Sequence, residues 1–297
     1  MLRRAVLAGL TAGSLLLSTA ACGEGGEPAG QPPADGRLRI VAGFYPLQYL
    51  SERIGAESAV VTNLTQSGAE PHDLELKPSQ LAQISDASLV VYLAGFQPSV
   101  DEAVRLQAKD KAFDVAAVEQ LAAGGEHGGD PHVWLDPLRF AVIVGKLAER
   151  IAAVHPAGAD AIRVRAAQLQ DELRRLDEQY ATGLQTCARR EIVTSHAAFG
   201  YLAARYHLTQ VPISGLDPEE EPSPQRVSQV AALAKEKGVT TIFFETLVSP
   251  KLAETVAKEI GAKAAVLDPI EGVEDGSDYV SVMVRNLAAL REALGCT

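Results

Sequence analysis

Short apolar runs rich in valine, isoleucine and phenylalanine recur along the chain, separated by segments whose apolar residues fall at helical spacing. In the first half the runs are LRIVAGF, SAVVTNL, SLVVYLA and AFDVA, and the helical segments PLQYLSERIG, PSQLAQISDA and PSVDEAVRLQA lie between them. In the second half the runs are EIVTSH, TQVPISG, TTIFFET and AAVLDPI, spaced by AAFGYLAARY, SPQRVSQVAALAKEKG and SPKLAETVAKEIG. A strand that is apolar throughout has both faces covered, and runs alternating with helices build parallel sheets. Between the halves, residues 157–184 are rich in Ala, Leu, Arg, Gln and Glu and form one long predicted helix. The fold class is therefore α/β: two lobes, each a mostly parallel sheet flanked by helices, joined by one long backbone helix.

The ends of the chain add a compartment. MLRRAVLAGLTAGSLLLSTAAC has a basic start at Arg3 and Arg4 and an apolar run too short to span a bilayer well, which is the pattern of an export signal. TAAC resembles the lipobox of bacterial lipoproteins, with Thr19 where an aliphatic residue is usual, and that resemblance implies a lipid on Cys22. GEGGEPAGQPPADG after it cannot bury a core and has the composition of a tether. The expected organisation is a signal peptide at 1–21, a lipidated cysteine and tether at 22–36, a first lobe at 37–156, the linking helix at 157–185 and a second lobe at 186–297. The formal net charge of −11 argues against a nucleic-acid partner. Of three cysteines, Cys187 and Cys296 remain as one pair in an exported chain, and a disulfide between them is expected.

Candidate chemistry lies just past the strands. His72 sits in SGAEPHDLELKPS, His132 in DPHVWLDP, and His196 ends EIVTSH, while Asp268 ends AAVLDPI. In open parallel sheets ligands gather beyond the carboxyl ends of the strands, and two of these residues come from each half. Asp136 followed by Pro137 is a helix start, and Pro131 stiffens the segment carrying His132, as a metal ligand requires. Glu245, at the end of TTIFFET, is a candidate to orient a ligand imidazole. Glu70, two residues before His72, is a weaker candidate for the same role, and His127 is the lone histidine of the glycine-rich surface segment GGEHGG.

The segments GFYPLQYLSERIG, PHDLELKPSQ, DPHVWLDP, IVTSHAAFGYLAARY, DPEEEPSPQRV and VLDPIEG, in that order, resemble the solute-binding proteins of bacterial zinc and manganese ABC importers, the ZnuA-like metal-binding lipoproteins of cluster A-I. The resemblance implies two lobes on a long helix, with metal held between them by His72, His132, His196 and Asp268. It also implies an ABC permease as partner, a lipid anchor on the outer face of the cell membrane, a monomer, and no enzymatic activity. Three imidazoles and a carboxylate suit Zn²⁺ over Mn²⁺. A manganese-binding member of the same family is the near alternative. From another class, an exported zinc hydrolase would use the same histidines with Asp268 or Glu245 as general base, although no HExxH motif is present. A surface adhesin with an incidental metal is a third reading.

Overall fold

The computed structural model describes residues 36–119, 129–274 and 276–297. The signal segment, Cys22, nearly all of the tether and His127 lie outside the described residues. All eight apolar runs are strands: β1 (Leu38–Ala42), β2 (Ala59–Asn63), β3 (Leu89–Tyr92), β4 (Ala112–Asp114), β5 (Glu191–Thr194), β6 (Thr209–Pro212), β7 (Thr241–Phe244) and β8 (Lys263–Val266). They form two four-stranded sheets of the same order, β2-β1-β3-β4 and β6-β5-β7-β8, with every pairing parallel. The helices are α1 (Tyr45–Gly55), α2 (Pro78–Asp86), α3 (Pro98–Gln107), α4 (Val115–Glu119), α5 (Pro137–Val154), α6 (Ala159–Gly183), α7 (Gly200–Arg205), α8 (Pro224–Glu236), α9 (Lys251–Ile260) and α10 (Tyr279–Leu294).

Side-chain alternation explains why the runs carry no polar stripe. Ile40 and Ala42 of β1 and Leu89 and Val91 of β3 face a central core, whereas Val41 and Val90 face an outer core made with α2 and α3. The second sheet repeats this: Ile192 and Phe243 join the central core, and Val193 and Ile242 pack under α8 and α9. Successive residues of a strand point to opposite faces, so two covered faces demand an unbroken apolar run. The central core is continuous from Leu38 of the first lobe to Leu294 of the last helix.

Helix α6 spans 25 residues and runs through the middle of that core. Its buried stripe, Ile162, Ala166, Leu169, Leu173, Leu176 and Tyr180, packs chiefly on α5, with α1 and α10 also in contact. The Tyr180 hydroxyl donates to the Met283 carbonyl at 2.7 Å and so pins α6 to α10. Three elements depart from the sequence reading. Val115 and Ala116 of the run AFDVA belong to the short helix α4. AAFGYLAARY yields only the six-residue α7, because Ala197 donates its N–H to the Gly215 carbonyl and stays in a loop. The C-terminal helix α10 lies outside the segments with clear helical spacing, and Asp278 caps it by accepting from the Ser281 N–H at 2.8 Å.

Cys187 and Cys296 form the expected disulfide, at the amino-terminal side of β5 and thus at the opposite end of that strand from the histidine loops. Among the described residues no helix is long and apolar enough to cross a membrane.

Candidate metal centre

Both sheets direct loops from their carboxyl ends into one cleft. His72 lies in the loop between β2 and α2, and His132 between α4 and α5; His196 follows β5, and Glu271 follows β8. Each histidine is held from behind. The Asp130 carboxylate oxygen Oδ1 accepts the His132 backbone N–H at 2.9 Å and faces its Nδ1 at 2.8 Å. Glu245 Oε1 lies 2.7 Å from His196 Nδ1 and accepts the Ser195 hydroxyl at 2.8 Å. His72 donates its backbone N–H to Glu70 Oε1 at 3.0 Å. The buried Gln97 amide donates to the Pro71 carbonyl at 3.1 Å, steadying the same loop. With Nδ1 of His132 and of His196 engaged by carboxylates, Nε2 of each is turned to the cleft.

The three Nε2 atoms converge on Glu271 Oε1, at 3.2 Å from His72, 3.0 Å from His132 and 3.9 Å from His196. His132 Nε2 and His196 Nε2 are 3.4 Å apart, and all four donor atoms lie within 4.8 Å of one another. Donors about 2.0–2.1 Å from a tetrahedral ion sit about 3.3 Å from each other, so these separations are close to the edges of such a tetrahedron. Glu271 is completely buried, and its second oxygen has no hydrogen-bond partner among the described residues. A buried carboxylate left in that state calls for a cation.

Charge in the site is strongly perturbed. Burial would raise the Glu271 carboxyl, but hydrogen bonds to His132 and His72 hold it well below the usual carboxylate range. Burial likewise opposes the charged form of His132, yet Asp130 and Glu271 together carry that imidazole up to about 9. Burial and then the Glu271 charge push Glu70 up to about 8. Glu70 Oε1 is 4.0 Å from His72 Nε2, and Glu70 is not among the four converging donors.

Asp268 is where the sequence assignment and the geometry part. Its Oδ1 accepts the Ile270 N–H at 2.7 Å and its Oδ2 accepts the Thr246 hydroxyl at 3.3 Å; Glu271, three residues on, supplies the carboxylate facing the histidines. A signal was available. In each Asp-Pro-X of the chain, Asp130, Asp136, Asp217 and Asp268, the aspartate Oδ1 accepts the N–H of X. Proline offers no N–H, so the next amide is the one an Asx turn captures.

A family model described as "Zinc-uptake complex component A periplasmic" matches residues 40–293. The chain belongs to this zinc-uptake component A family. Among relatives, it is 34% identical over 300 residues to the high-affinity zinc uptake system protein ZnuA of Bacillus subtilis, covering 94% of each. It is 35% identical to the zinc-binding lipoprotein AdcA of Streptococcus pneumoniae, with 88% of this chain matched but only 57% of that longer protein. Among solved structures of the zinc-uptake component A fold, the Zn(II)-bound ZnuA-like domain of that AdcA superposes with a TM-score of 0.75 at 36% identity, covering 87% of this chain and 99% of that one. The laminin-binding protein Lmb of Streptococcus agalactiae, described as bifunctional with adhesin and metal-transporting activity, superposes with a TM-score of 0.80 at 31% identity, covering 87% and 99%.

Proposed function

We propose that the chain is an extracytoplasmic zinc-binding protein that captures Zn²⁺ between its lobes and delivers it to an ABC importer permease. It is held at the outer face of the cell membrane by a lipid on Cys22 and acts as a monomer. The observation that carries this reading is the convergence of His72, His132, His196 and Glu271, each aimed by a partner or a turn of its own. Zn²⁺ is cargo here, bound by three imidazole nitrogens and one carboxylate, with Glu271 in the place that Asp268 was expected to fill. Such a four-donor set leaves no open position of the kind catalytic zinc keeps for water. Both carboxylates that the hydrolase reading nominated as general base are committed, Glu245 to His196 and Ser195, and Asp268 to Ile270 and Thr246. Metal analysis of the purified mature protein, followed by titration with Zn²⁺ and Mn²⁺, tests the reading. Stoichiometric zinc with weaker manganese is the expected result, and a protein that takes up neither would refute it.

Zinc affinity should climb with pH through the neutral range. In the metal-free site His132 is protonated below about 9, and only the neutral imidazole can ligate. Each ion therefore displaces a proton from His132 at pH 7, and the affinity rises by about tenfold per pH unit between 7 and 8.5. Calorimetry in buffers of differing ionisation enthalpy should register about one proton released per zinc. A flat profile over that interval would mean that His132 does not give up a proton to the metal.

His196→Glu should narrow the preference for Zn²⁺ over Mn²⁺. The change removes a nitrogen donor and adds a hard oxygen, which Mn²⁺ tolerates better. The new carboxylate also stands against Glu245, which lies 2.7 Å from His196 Nδ1, but that repulsion acts on both metals alike, so the change of donor is what makes zinc affinity fall more than manganese affinity. Competitive titration of the two metals reads this directly, and an unaltered ratio would take His196 out of the ligand set.

A further inference from the structure

Beside the four donors the backbone does something costly. Ile270 has φ +63°, in the left-handed region, and its side chain is completely buried. A β-branched residue crowds its own backbone there and persists only where its surroundings overdetermine it. Ile270 immediately precedes Glu271, so its conformation decides where that carboxylate points.

Three sets of contacts hold the turn. Asp268 Oδ1 captures the Ile270 N–H at 2.7 Å. Asn286, buried on α10, accepts the Asp268 N–H at 3.0 Å and donates to the Asp268 carbonyl at 2.7 Å. Both of these lie within the second lobe. The third crosses the cleft: the Trp134 indole N–H donates to the Pro269 carbonyl at 2.6 Å. Trp134 is two residues past His132, and its own carbonyl accepts the Tyr279 hydroxyl at 2.6 Å from the first turn of α10. Its ring packs on Phe44 and His132, with centroids 4.9 and 5.2 Å away. The two lobes are thus stitched at Trp134, which donates to the segment that carries Glu271 and accepts from Tyr279 of α10.

We propose that Asp268 and Trp134 form a latch that holds Ile270 in its left-handed conformation and so presses Glu271 against the three histidines, and that opening of the cleft breaks the Trp134–Pro269 bond and withdraws this carboxylate from the ion. The proposal rests on the reading that His72, His132, His196 and Glu271 hold the cargo. A central core shared by both lobes resists a wide swing, so release by a small tilt needs a part that answers to a small displacement. The Trp134–Pro269 bond, the one restraint on the strained turn that crosses between the lobes, is such a part. Once it is lost, Ile270 relaxes, Glu271 turns away, and the ion is left with three neutral nitrogens. Asp268 and Trp134 are positioning residues: neither touches the ion.

The test uses the full mature chain and compares Asp268→Ala, Asp268→Asn, Trp134→Phe and His132→Ala. Zinc release is followed by stopped flow into a chromophoric chelator, and the coordination sphere by the visible absorption of the Co²⁺-loaded protein. Asp268→Ala and Trp134→Phe should release zinc about 10–100-fold faster and shift the Co²⁺ band, as loss of an orienting partner does. Asp268→Asn keeps an oxygen to accept the Ile270 N–H but carries no charge, and should restore the parent rate and spectrum. If Asp268→Asn loses zinc as severely as His132→Ala, Asp268 is itself a ligand and the latch is refuted. Parent-like release from Trp134→Phe would equally refute the part that crosses the cleft. Should Asp268→Ala fail to fold, Asp268→Asn and Trp134→Phe still decide the matter. Failure of the site reading looks different: His132→Ala would then hold zinc as tightly as the parent.

Discussion

His132→Ala lowers zinc affinity by about 100-fold or more. Structural zinc sites bind with about 10–16 kcal/mol, so one of four ligands accounts for about 3 kcal/mol, or two orders of magnitude. His132 is also completely buried and joined on both sides, so its loss costs the metal-free protein stability. Its Nδ1 meets Asp130 and its Nε2 meets Glu271, and alanine leaves both carboxylates short of a partner in a dry site. The metal-free variant also loses the imidazolium that neutralises Glu271, so its thermal unfolding should move down and become less responsive to added zinc. Competitive titration against a chelator of known affinity, with unfolding followed at zero and saturating zinc, checks both halves. Parent affinity in this variant would remove His132 from the site.

Replacing Cys187 and Cys296 together by alanine destabilises the protein by about 2–4 kcal/mol, somewhat under the ~5 kcal/mol that chain entropy alone assigns to so long a loop. The two cysteines are 109 residues apart in sequence. The discount comes from what remains after the bond is gone. Thr297 donates to the Thr186 carbonyl at 3.0 Å, Arg189 donates to the Leu294 carbonyl at 3.1 Å, and the Arg189 guanidinium reaches the Ala293 carbonyl at 3.0 Å. These bonds keep the chain end beside the start of the second lobe without the sulfur bridge. Urea unfolding of parent and double variant measures the difference. Zinc affinity should stay unchanged, since β5 separates the bridge, at its amino end, from His196, at its carboxyl end. An unfolding midpoint equal to the parent's would show that these hydrogen bonds alone suffice, and a loss of zinc affinity would show that the bridge reaches the cleft.

The local pattern of the chain was enough for most of the architecture. Val41 and Ile40 are both apolar because each faces a different core, so a continuous run already announces a strand covered on both sides. Asp136-Pro137 marks the start of α5 by a bond between neighbours, and the aspartate does cap Leu138 and Arg139. Residues 159–183 are rich in helix formers and lack proline and interior glycine, so the helix is readable from local composition. His72, His132 and His196 stand out because each follows a strand or its short helix, and parallel sheets bring such positions together. The carboxylate, assigned to Asp268 with Glu271 not among the candidates, was of another kind. Both are acids past the end of β8, and spacing alone does not separate them. Half of the answer was local after all, since an aspartate before proline is consumed by the amide two residues on. The other half was not. Glu271 faces the histidines because Ile270 adopts a conformation that an isolated chain would avoid, held in part by an indole 135 residues earlier in sequence. No pattern in a window of neighbours encodes a bond between residues so far apart, and a carboxylate's direction, unlike its presence, is set by the backbone that such bonds hold in place.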